Sequence, residues 1–122
     1  MRLDGFPVEL VRGVAVVRAP MEIDVTNAAG LRAALLEAGG HPAFVVDMTR
    51  TRFCDSAGIQ ALVDAHKRAR AEGGEVLLAM SGDAVPRIFS LTGVDRVIPS
   101  YPSLDEALRH TPAGTGPIPL AD

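Results

Sequence analysis

Five consecutive residues, Cys54-Asp55-Ser56-Ala57-Gly58, bring a thiol, a carboxylate, a hydroxyl and a glycine together. A nucleophilic serine is the first chemistry such a cluster suggests, but the rest of the sequence does not complete it. Cys54 stands where a G-x-S-x-G elbow has its first glycine. A serine nucleophile also needs a general base within reach. The three histidines offer none: His41 falls in a loop, His66 lies turns away on the helix that follows Ser56, and His110 borders the C-terminal tail. Cys54, near a predicted helix start, is placed where a thiol pKa can fall. After Phe53 it reads better as a small buried side chain. No Cys/His pair has ligand spacing, and Asp24, Asp47 and Asp55 are scattered, so no metal is expected. No Walker or Rossmann glycine loop is present, so no nucleotide cofactor is expected either. The chain does not read as an enzyme.

A different chemistry fits Ser56. Asp55 and Ser56 are both good N-caps for the helix that follows. A serine at a helix start also lies at the positive end of the helix dipole. A phosphate added there would be tolerated by its own domain and would bring nearly two negative charges to the surface. Such a residue suits a switch, because any partner packed over it would meet the new charge.

The elements that must position this segment are legible from pattern. The 122 residues are enough for one domain with one core, and at 48% hydrophobic with 4% aromatic residues and no tryptophan that core is aliphatic. "FPVELV" and "VAVVRA" flank Arg12-Gly13 and predict an antiparallel hairpin. A helix is expected after Asp24 or Thr26 as cap, with Ala29, Leu31, Leu35, Leu36 and Ala38 on its apolar side and Gly39-Gly40 at its end. "AFVVDM" (Ala43 to Met48) and "EVLLAM" (Glu75 to Met80) are short, continuous apolar runs, as buried parallel strands are. Between them Ser56 to Glu72 predicts a helix with Ile59, Leu62, Val63 and His66 on one face. Asp83 is placed to cap a short helix through Thr92, with Val85, Ile88 and Phe89 buried. "RVIP" (Arg96 to Pro99) reads as a last short strand. Ser103 caps a final helix with Glu106 at the capping-box position and Leu104, Ala107 and Leu108 facing inward. The fold class is α/β: an opening antiparallel hairpin, then parallel strands, in one mixed sheet covered by about four helices. Residues 1–110 form this domain, and 111–122, rich in proline and glycine, are expected to be a flexible tail.

The formal charge of −3 comes without any basic and aromatic cluster, so no nucleic-acid partner is expected. The single cysteine suits a reducing compartment. There is no secretory signal and no run of roughly 20 apolar residues, so no membrane association and a cytoplasmic location are expected.

The segment "FVVDMTRTRFCDSAGIQALVDAHKRARAEGGEVLLA" resembles the signature of STAS domains, specifically of bacterial anti-sigma factor antagonists. The shared features are an apolar strand ending in Asp47, a loop with Phe53, then Asp55-Ser56-Ala57-Gly58-Ile59 leading into a helix that ends in Gly73-Gly74. Upstream, "MEID" (Met21 to Asp24) is similar to the family's Gly-Glu-Leu/Ile-Asp. Downstream, "IFSLTGVDRVIPSYPSLDEAL" resembles its closing segment. The likeness spans about residues 6 to 109 in order.

The resemblance implies a STAS-like fold and a regulatory role: binding a kinase-type anti-sigma factor, which frees its sigma factor. It makes Ser56 the phospho-acceptor of that kinase, Asp55 its flanking motif residue and Asp24 part of the neighbouring partner loop. The partner surface would comprise Asp24, Asp55, Ser56, Ala57, Gly58 and Ile59, and a Ser/Thr phosphatase would reverse the modification. The alternative within the family is a STAS module of a stress-sensing or lipid-transport assembly that is not phosphorylated. Two positions depart from the pattern. Met21 replaces a glycine, which predicts a different bend in that loop, and Ala57 replaces a frequent second serine, which leaves Ser56 as the only hydroxyl of the motif.

Overall fold

The computed structural model describes residues 6–40 and 43–111; the expectations placed on His41 and on the tail beyond residue 111 lie outside them. Two strands open the chain, β1 (Val8–Val11) and β2 (Val14–Arg18), paired antiparallel. Their tight turn puts Arg12 and Gly13 at φ +54° and +81°, the left-handed pair that two-residue hairpins favour. A two-residue strand β3 (Glu22–Ile23) precedes helix α1 (Ala28–Ala38), and β4 (Ala43–Met48) follows. A second two-residue strand, β5 (Phe53–Cys54), leads directly into α2 (Ser56–Ala71). Then come β6 (Glu75–Met80), α3 (Ala84–Thr92), a single 3₁₀ turn (Val94–Arg96), β7 (Ser100–Tyr101) and α4 (Leu104–Arg109).

The main sheet has the order β1-β2-β4-β6-β7, and every pairing after the hairpin is parallel. Its three inner strands are buried on both faces. Ala15, Val17, Phe44, Val46, Val76 and Leu78 point into the layer formed with α1, α2 and α3. Val14, Val16, Val45, Leu77 and Ala79 point the other way, against Ala107 and Leu108 of α4. Continuous apolar runs are therefore required, because each alternate residue needs its own apolar neighbours. Fully burying each Val, Leu or Phe stabilises the fold by about 1.5–3 kcal/mol relative to exposure.

Four local expectations are corrected. The last strand is not Arg96–Pro99: Gly93 ends α3 at φ +81°, the chain makes a 3₁₀ turn, and Ile98 N–H donates back to Val94 O. Pro99 has no N–H to give a ladder, so pairing with β6 starts at its carbonyl, which accepts from Leu78 N–H at 2.9 Å, and continues at Ser100. Helix α1 is not capped by the Asp24 or Thr26 side chain; its cap position is Asn27, whose side chain is engaged elsewhere. The buried stripe of α1 is Ala28, Leu31, Ala34, Leu35 and Ala38, while Ala29 and Leu36 are exposed. On α3, Val85 and Phe89 are buried but Ile88 is exposed, and the Asp83 side chain makes no capping bond. The Ser103 cap is present, its hydroxyl accepting from Glu106 N–H at 3.1 Å.

Candidate functional site

The Ser56 segment is held by two loops laced together. Asp47, at the end of β4, is almost fully buried and accepts from Thr49 N–H (3.0 Å) and Thr49 Oγ1 (2.7 Å), which turns the chain out of the sheet. Arg18 pairs with the other Asp47 oxygen at 2.9 Å and fixes the carboxylate from the neighbouring strand. The Thr51 hydroxyl then donates to Pro20 O at 2.8 Å. Arg52 N–H and Phe53 N–H both donate to Met21 O, at 2.7 and 3.3 Å, and Asp55 N–H donates to Ile23 O at 3.0 Å. The result is a miniature parallel sheet, with Glu22 opposite Phe53 and Ile23 opposite Cys54. This pairing lies between residues about thirty apart and brings the Asp24 loop beside the start of α2. Met21 is not in the left-handed region, where glycine would be needed; among the described residues only Arg12 and glycines have positive φ.

The Asp24 loop is itself tightly bonded. Asp24 Oδ1 accepts from Thr26 N–H at 2.9 Å and from the Thr26 hydroxyl, which holds its carboxyl below the usual carboxylate range. Asn27 spans the loop, its Oδ1 accepting from Asp24 N–H and its Nδ2 donating to Glu22 O, both at 2.9 Å. These bonds explain why neither Asp24 nor Asn27 caps α1.

The start of α2 assigns separate duties to the motif residues. Asp55 is the N-cap: its Oδ1 accepts from Ala57 N–H at 2.9 Å and Gly58 N–H at 3.2 Å. Ser56 is therefore the first helical residue and not the cap. Its side chain is exposed, and among the described residues nothing hydrogen-bonds to its hydroxyl. Gly58 is buried because α2 lies against β3 and β5 there. A Cβ on Gly58 would stand 2.6 Å from Ile23 Cγ2 and 2.8 Å from Cys54 Sγ, distances that side chains do not tolerate. Cys54 is that packing partner and is not a reactive thiol: burial, reinforced by the Asp55 charge, pushes it up to about 12. Ala57 and Ile59 are half-buried on either side.

The other sequence candidates lie elsewhere. His66 is buried ten residues along α2, where its Nδ1 accepts from Val76 N–H at 3.2 Å. His110 stacks on Tyr101 with ring centroids 4.4 Å apart, at the α4 end of the molecule. Asp47 is structural. Among the described residues no group of three or more His, Cys, Asp or Glu side chains comes together, and no helix is long and apolar enough to cross a membrane. The sequence reading missed the apolar side chains that surround Ser56. Met21, Val25 and Phe53 are all exposed on the two laced loops, which no pattern in the sequence marks.

The chain resembles known proteins along nearly its whole described length. A family model described as STAS domain matches residues 6–107. A Mycobacterium tuberculosis protein named as an anti-anti-sigma factor is 36% identical over 70 residues, or 57% of this chain; the match spans 47%, about half, of that relative. A crystal structure of an anti-sigma factor antagonist from Mycobacterium paratuberculosis has a TM-score of 0.77 at 34% identity, covering 84% of this chain and 89% of that one. SpoIIAA of Bacillus, described as an anti-sigma factor antagonist, matches in fold: TM-scores are 0.71 unphosphorylated and 0.65 phosphorylated, at 21% and 20% identity. Those two matches cover 86% and 85% of this chain, and 94% and 96% of the SpoIIAA chains. The STAS domain model covers residues 6–107, most of the chain, and the mixed sheet with its antiparallel hairpin and parallel strands agrees in fold with these structures: the chain belongs to the STAS domain family.

Proposed function

We propose that this STAS domain is an anti-sigma factor antagonist that binds a kinase-type anti-sigma factor and releases its sigma factor, and that phosphorylation of Ser56 switches it off. The observation that carries the proposal is the division of labour at the start of α2. Asp55 does the capping, so the Ser56 hydroxyl is exposed and uncommitted. The relatives named for antagonism support the role, and the phosphorylated form of SpoIIAA supports the modification. The domain is not itself an enzyme; the transfer and removal of phosphate belong to the kinase and to a Ser/Thr phosphatase. The proposed setting is cytoplasmic, where the kinase-type anti-sigma factor meets its sigma factor.

The partner surface consists of Ser56, Ala57 and the Asp24 loop, rimmed by Met21, Val25 and Phe53. Asp55, Gly58 and Ile59 contribute mainly by building it. A phosphate on Ser56 would find the Ala57 and Gly58 amides already taken by Asp55. The helix dipole and solvent then stabilise it in the free domain. Under a partner, the same dianion must be desolvated, which costs several kcal/mol unless a cation pairs with it.

The test is phosphorylation by the cognate kinase with labelled ATP. Wild type should be labelled and Ser56→Ala should not. Label that persists in Ser56→Ala, at Thr51, Ser81 or Ser90 for example, would move the switch elsewhere. A partner that binds but never labels the domain would place it with the non-phosphorylated STAS modules.

A further inference from the structure

The arginines among the described residues fall into three groups. Arg12, Arg18, Arg32 and Arg109 each sit on a carboxylate. Arg68 and Arg70 occupy the last turn of α2, where the helix dipole favours a cation. Arg50, Arg52, Arg87 and Arg96 have neither: among the described residues all four are exposed and none is ion-paired. Three of them, Arg50, Arg52 and Arg87, line two adjoining depressions. Arg50 and Arg52 line a depression with Met21, Thr49, Ser81 and Gly82, at the carboxyl ends of the parallel strands β4 and β6. Gly82 also lines the adjoining depression, with Asp83, Pro86 and Arg87. Such a position, outside the carboxyl ends of parallel strands, is where α/β sheets most often bind. Three cations face one carboxylate, that of Asp83, in a chain whose formal charge is −3.

We infer that this crevice receives a carboxylate-rich segment of the protein partner. Charge complementarity selects an acidic peptide, and the crevice is continuous with the proposed Ser56 surface. Met21 lines it, and Met21 O holds Arg52 and Phe53, four and three residues before Ser56. The inference rests on the antagonist reading and deepens it. Ser56 is four residues from Arg52, at most about 14 Å along an extended chain. A phosphate there would oppose the field of the arginines and repel the acidic segment they attract, most strongly at low ionic strength, where the Debye length exceeds that span.

The test uses the intact protein, labelled with nitrogen-15 and titrated with a hexaglutamate peptide. Amide shifts confined to residues 49–53 and 81–87, weakening as salt rises, are expected. The Arg50→Gln/Arg52→Gln double variant should bind about fivefold more weakly or worse, with unchanged shifts elsewhere. Scattered shifts, or shifts indifferent to the double variant, would overturn the inference. Inorganic phosphate or a single-stranded oligonucleotide binding the same residues more tightly than the peptide would also overturn it. With the anti-sigma partner in hand, the double variant should lose affinity in parallel, and unchanged affinity counts against the crevice. Absence of Ser56 labelling defeats the antagonist reading alone, because the peptide titration does not depend on it.

Discussion

At the scale of single residues, the motif's side chains have separable jobs and separable consequences. Ser56→Ala removes a hydroxyl that bonds nothing, so its melting temperature should match wild type within the error of a calorimetric scan. Asp55→Ala removes the cap from α2 and should cost about 1 kcal/mol in denaturant unfolding, although Asp55 carries no phosphate. An equal cost for the two variants would show that Ser56 shares the cap. Gly58→Ala is the most disruptive small change, because its methyl would lie 2.6 Å from a branched, fully buried isoleucine side chain. Overpacking of this kind costs roughly 1–3 kcal/mol. Removing the obstacle, Ile23 Cγ2, takes Ile23→Ala, because valine keeps that methyl; Gly58→Ala/Ile23→Ala should cost less than the two single changes added together. Full additivity in the double variant would mean that Gly58 serves some purpose other than letting α2 approach β3.

At the scale of elements, what positions Ser56 is the pairing of β3 with β5, and it was the least legible part of the sequence. Two-residue strands carry no period, and their bonds join segments about thirty residues apart, so composition and spacing do not reveal them. Strands β4 and β6 were legible to the residue because each is a bounded apolar run buried on both faces. The final strand was not, since of the apolar pair Val97-Ile98 only Ile98 is buried, just after a 3₁₀ turn, and Pro99 delays pairing until Ser100. The exposed Leu36 and Ile88 mark the same limit: helical spacing finds a stripe, but which edge of the stripe meets the sheet depends on the crossing of the helix. At the proposed site, the motif pointed to Ser56 and the Asp24 loop as candidates, while the assignment of the cap to Asp55 and the apolar rim of Met21, Val25 and Phe53 needed the three-dimensional pairing. The lacing is testable: Thr51→Val keeps the shape of a buried residue but abolishes its bond to Pro20 O. It should destabilise the domain by about 1 kcal/mol and increase amide exchange in both loops. Exchange altered in neither loop would show that they are held independently.

At the scale of the whole molecule, a buried stabilising contact and the proposed switch lie toward opposite ends of α2. Near its C-terminal half, buried His66 joins the helix to β6 through Val76 N–H and to the segment after the 3₁₀ turn through the Val97 backbone. Burial first, and the Arg70 charge second, hold its pKa below 6.5, with Glu75 and the Val97 bond opposing. The unfolded chain therefore binds a proton that the native imidazole refuses. The stability this residue confers is full above pH 6.5 and is lost as pH falls from there through the lower native value. Wild type should melt at a lower temperature at pH 5.5 than at pH 7.5, and His66→Gln should show a smaller difference. An equal difference in the variant would assign the effect to other groups. At the opposite end, the exposed Ser56 hydroxyl can change its charge without touching any of these contacts. That separation predicts a modification felt by the complex and not by the fold. The most direct measurement compares the affinity of the anti-sigma factor for unmodified and for stoichiometrically Ser56-phosphorylated domain, with melting temperature recorded for both. Binding at least about tenfold weaker after phosphorylation, equivalent to about 1.4 kcal/mol, with melting unchanged, is the expected result. Equal affinity of the two forms would contradict it.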